Sequence, residues 1–93
     1  MSDEKKLSQN ELIALGEQAK AVLENPAFKA ACRELEAMYF KAWGDSGPKD
    51  TDGRERLFIH VAVQRTMIAN LNAILGSGQI SAAMVERARG RRT

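Results

Sequence analysis

Cysteine, proline and aromatic residues are scarce in this chain of 93 residues: one Cys, two Pro, three Phe, one Tyr and one Trp. A single thiol, Cys32, excludes an internal disulfide and points to a reducing compartment. With so little proline and aromatic content beside plentiful Ala and Leu, the composition favours helix over sheet. No run approaches the ~20 apolar residues that span a bilayer, so no membrane partner is expected. The opening MSDEKK leads into no apolar core, and no secretion signal is expected either.

Side chains able to carry chemistry are equally sparse. His60 is the only histidine. General acid–base work needs a neighbouring nucleophile or orienting carboxylate, and the turns around His60 offer none; Glu55 falls on another side of the same helix. His60 therefore reads as a packed or interface histidine, hydrogen-bonded to Gln64 or to a partner. Cys32 falls on an apolar stripe and reads as a small buried hydrophobe. Asp45, Asp50 and Asp52 do not reproduce a calcium loop, because Pro48 and Lys49 interrupt them and the closing bidentate Glu is missing. Gly76-Ser77-Gly78 lacks the Lys-Ser/Thr ending and the preceding strand of a phosphate loop. No acid, base, nucleophile or ligand cluster converges, so catalysis, a cofactor and a metal site are not expected.

Charge is unevenly placed. Arg87, Arg89, Arg91 and Arg92 leave residues 1–86 with ten basic against twelve acidic groups, a net of −2, although the whole chain is +2. A mildly acidic body argues against a face dedicated to nucleic acid. The four terminal arginines read either as a solubilising tail or as a phosphate contact through counterion release.

What the sequence does contain is helical periodicity. Ser8 and Glu11 stand at the capping-box spacing, opening a helix over about 9–24 with Leu12, Leu15, Ala19, Val22 and Leu23 on one stripe, Gly16 beside it and Ile13 turned toward solvent. Asn25-Pro26 is an N-cap followed by the favoured first-turn proline, so a second helix, bent from the first, covers about 26–43. Phe28, Cys32, Leu35, Tyr39 and Trp43 form its stripe, and Phe40 is stranded among charges. Residues 44–53, rich in Gly and Asp, read as a loop in which Thr51 or Asp52 caps the next helix. That helix covers about 54–75, stopped by Gly76 and Gly78, and Ser81 caps a short last helix over 82–89. Residues 1–7 and 90–93 read as mobile tails.

The expected fold is all-α: one domain, an antiparallel hairpin of the second and third helices, the bent first helix and the short last one, making a small bundle. The 54–75 stretch is apolar over more than one face. Leu57, Val61, Ile68, Leu71 and Leu75 gather on one side, and Ile59, Val63, Met67 and Ile74 lie roughly 100–120° away, with His60 and Gln64 between them. One face suffices to pack the hairpin. The other reads as a surface for a partner or for the folded-back last helix, Phe40 marks a further partner contact, and a short domain that buries little surface commonly oligomerises.

Asn25-Pro26-x-Phe28, Ala42-Trp43, Thr51-x-x-x-Glu55 with Leu57, and Gly76-x-Gly78 together resemble small helical proteins encoded by tailed bacteriophages, over about residues 25–80. The resemblance implies an accessory or virion-associated role, in the host cytoplasm or the virion. The leading expectation is a non-enzymatic, self-associating protein that contacts phage or host proteins in virion assembly or DNA packaging. One alternative is an anti-defence inhibitor or nucleotide-signal sponge using Arg54, Arg56 or Arg65. Another is nucleic-acid binding through Arg87, Arg89, Arg91 and Arg92.

Overall fold

A computed structural model describes residues 7–90, and all of its regular structure is helical: α1 (Gln9–Glu24), α2 (Pro26–Asp45) and α3 (Thr51–Gly90). Of the tails expected at 1–7 and 90–93, only Leu7 and Gly90 fall within the described residues. Leu7 precedes α1, and Gly90 is the last residue of α3.

Local chemistry sets the helix starts. At α1 the Ser8 amide donates to Glu11 Oε1 at 3.2 Å and the Glu11 amide donates to Ser8 Oγ at 3.1 Å, the reciprocal pair of a capping box. At α2 the Phe28 amide donates to Asn25 Oδ1 at 3.0 Å while Pro26 fills the first turn, where its missing N–H leaves no bond unmade. At α3 the cap is Asp50, whose Oδ1 accepts from the Gly53 amide at 3.0 Å, rather than Thr51 or Asp52. Asp50 also receives the Arg54 amide on its carbonyl, so the helix begins three residues before position 54.

The end of α2 also lies beyond the expected Trp43, because Gly44 and Asp45 continue the helix. Ser46 then closes it, its amide and its hydroxyl both donating to the Trp43 carbonyl, at 3.2 and 2.6 Å.

The expected break at Gly76 and Gly78 does not occur, and no separate helix over 82–89 forms: α3 is one helix of 40 residues. Neither glycine takes the positive φ that ends a helix. The less exposed positions Leu57, Val61, Gln64, Ile68, Leu71, Leu75 and Gly78 recur at alternating spacings of four and three, the coiled-coil period. Gly78 thus belongs to the inward series and does not punctuate it.

The chain divides into two compact units, one joining residues up to Val22 with those from Leu71 onward, the other comprising Leu23–Asn70. In the first, α1 and the later part of α3 meet through small residues. Gly16, Ala19, Gly78 and Ser81 are buried, and a methyl group placed on Gly16 would lie 2.8 Å from the Gly78 Cα. The contact line of α1 is therefore centred on Gly16. Ile13 turns out half-buried and Leu15 exposed, the reverse of the sequence expectation.

In the unit Leu23–Asn70, Tyr39 of α2 stacks on His60 of α3, with centroids 6.2 Å apart and planes 8° from parallel. The Arg54 guanidinium lies over the Trp43 ring at 4.7 Å. A later residue of α2 thus meets an earlier residue of α3. No residue of α2 is fully buried. Cys32, expected to be buried, is half-buried, on a helix that has no fully buried residue.

Candidate interaction surface

The unit Leu23–Asn70 carries a groove of about 710 Å³. Glu36, Tyr39, Phe40 and Trp43 contribute from α2, and Leu57, Phe58, Val61, Ala62, Gln64 and Arg65 from α3. Helical geometry explains the pairing. Phe40 is one residue past the inward Tyr39 and Phe58 one past the inward Leu57, so both rings are rotated about 100° off their contact lines. Both line the same groove, with Phe40 81% and Phe58 70% exposed.

One wall is fixed by the turn between the helices. Arg54 Nε donates to Ser46 Oγ at 3.0 Å, and the Ser46 hydroxyl donates in turn to the Trp43 carbonyl. The guanidinium meanwhile covers one face of the indole. Trp43, still 46% exposed, is held with part of its ring toward the groove. The groove lining is mainly apolar and aromatic, with Glu36, Tyr39, Gln64 and Arg65 as its polar side chains.

The sequence-derived interface residues separate into three places. Phe40 and Gln64 line the groove, and Gln64 is only 8% exposed, sheltered within its own chain. Ile59, Val63 and Met67 do not line it and are exposed on α3. Leu35 and Met38 of α2 are likewise exposed and outside the groove. His60 is exposed, and its contact is the stack on Tyr39 rather than a hydrogen bond to Gln64. Ile74 belongs to the other unit and is exposed there.

Phe58 and Trp43 were not identified as exposed from the sequence. The available signal was the matched one-residue offset of Phe40 and Phe58 from their stripes. Arg87 and Arg89 are exposed in the last turn of α3, where positive charge also complements the negative end of the helix dipole. Arg91 and Arg92 lie outside the described residues. Of the three arginines considered for a nucleotide, Arg54 is engaged with Trp43 and Ser46, Arg65 lines the groove, and Arg56 is exposed. Among the described residues no three His, Cys, Asp or Glu side chains are grouped as a metal site would need. No described helix is long and apolar enough to cross a membrane.

No protein-family model, curated protein or solved structure matches the chain.

Proposed function

We propose that this chain is a non-enzymatic helical interaction protein that operates as an assembly of its own copies and through contacts with other proteins. The observation that carries the reading is the near absence of a core. Among the described residues Ala19 is the one buried apolar side chain, whereas fourteen large apolar side chains are exposed. Burying a Val, Leu, Ile, Phe or Met contributes about 1.5–3 kcal/mol. A chain that leaves so many in water gains its stability by covering them with a second surface.

In this reading α2 and the Thr51–Asn70 part of α3 form an antiparallel hairpin. Such a hairpin is a layer one helix thick, apolar on both faces, and layers of this kind stack face to face into bundles. Ile59, Val63 and Met67, with Met38, supply one self-association face. The resemblance to small helical phage proteins directs the search for further partners to virion assembly and DNA packaging.

The test is a comparison of exposed positions. Met67→Glu or Val63→Glu, each placing a charge on the proposed face, lowers the molar mass in solution at a fixed concentration, while Lys29→Glu leaves it unchanged. Equal effects at all three positions would remove the assignment.

A further inference from the structure

We infer that the aromatic groove of the Leu23–Asn70 unit is a second self-association face, occupied by the same groove of another copy across a two-fold axis running along it. This rests on the self-association reading above and adds a distinct surface to it.

The first argument is area. Aromatic side chains present about 150–250 Å² each, so the exposed fractions of Phe40, Phe58 and Trp43 leave roughly 400 Å² of ring in water. That is already about half of the ~800 Å² that one partner contributes to an interface of standard size. Leu57, Val61 and Ala62 enlarge it along the groove floor.

The second argument is charge. Glu36 and Arg65 border the groove, and among the described residues neither forms an ion pair. The contacts Trp43–Arg54 and Tyr39–His60 fix the register of the two helices. That register places Glu36 level with about residues 61–63, within about one turn of Arg65, and Phe40 level with about residues 57–59. A two-fold axis along the groove keeps each residue at its level and sets α2 of one copy against α3 of the other. Glu36 then faces Arg65 of the other copy and Phe40 faces Phe58, each contact occurring twice, as an isologous interface requires. The groove is therefore complementary to itself in charge, with its exposed rings set against one another.

Charge reversal tests this on the full chain, with sedimentation velocity as the readout. Glu36→Arg and Arg65→Glu each weaken association about tenfold by setting like charges opposite one another, and the double variant recovers most of the loss. Phe40→Glu, at a side chain too exposed to matter for folding of the single chain, weakens it at least as much. If the native chain assembles but Phe40→Glu and the single reversals leave its mass unchanged, the groove is not a self-contact, and the wider reading stands without it. A double reversal weaker than either single one would also overturn the proposed pairing. A strictly monomeric native chain would overturn both readings together.

Discussion

Gly16 of α1 and Gly78 of α3 meet backbone to backbone: a methyl group on Gly78 would lie 2.8 Å from the Gly16 Cα and 2.9 Å from the Leu12 carbonyl oxygen. Backbone atoms cannot swing aside as a side-chain tip can, so an alanine at either site forces the helices apart. The neighbouring Gly76 has nothing within 4 Å of the same added methyl.

Two glycines two residues apart in one helix should thus respond with opposite signs. Alanine at Gly78 or Gly16 gains up to about 1 kcal/mol of helix propensity but incurs an overpacking cost of about 1–3 kcal/mol. The expected net loss is up to about 2 kcal/mol, with a lower melting temperature at matched protein concentration. Gly76→Ala retains the gain alone and raises stability by about 0.5–1 kcal/mol. Urea unfolding of the three variants checks the signs, and a stabilising Gly78→Ala would show that the two backbones do not approach as closely as this.

One side chain, Asn25, caps the start of α2. Asn25→Ala removes the acceptor of the Phe28 amide and should cost about 1 kcal/mol, whereas Asn25→Asp keeps the acceptor and should cost less. Chemical denaturation of the pair separates a capping effect from a general sensitivity of this position to substitution.

Trp43 reports on its own environment, being the only tryptophan in the chain. Arg54→Ala removes both the cation over the indole and the donor to Ser46, and should change Trp43 emission together with a loss of about 1 kcal/mol. Arg54→Lys keeps the charge without the planar fork, so it should recover only part of either effect. Fluorescence-detected unfolding measures both quantities, and unchanged emission in Arg54→Ala would remove the contact.

The parts of the fold legible in the sequence are those fixed by local rules. The Ser8–Glu11 box and the Asn25-Pro26 start depend on residues three apart and form as expected. The course of α3 was misread because glycine has two physical uses, ending a helix and admitting a neighbour, and composition does not distinguish them. The inward series Leu57, Val61, Leu71 and Leu75 continues to Gly78 at the same spacing, and that continuation was the signal for an unbroken helix. The groove was hidden for a different reason. Phe40 stands out on its own helical wheel but Phe58 does not, and the two come together only once the helices are in register. Gln64 shows the same limit: placed on the seam of two apolar faces by its wheel position, it is sheltered inside its own chain.

The central claim is that this chain gains its apolar burial from other copies of itself. Sedimentation equilibrium of the native protein at micromolar concentration tests it most directly. The account predicts a molar mass at least twice the 10.2 kDa of one chain, falling toward that value on dilution. A mass of 10.2 kDa that does not change with concentration would contradict it.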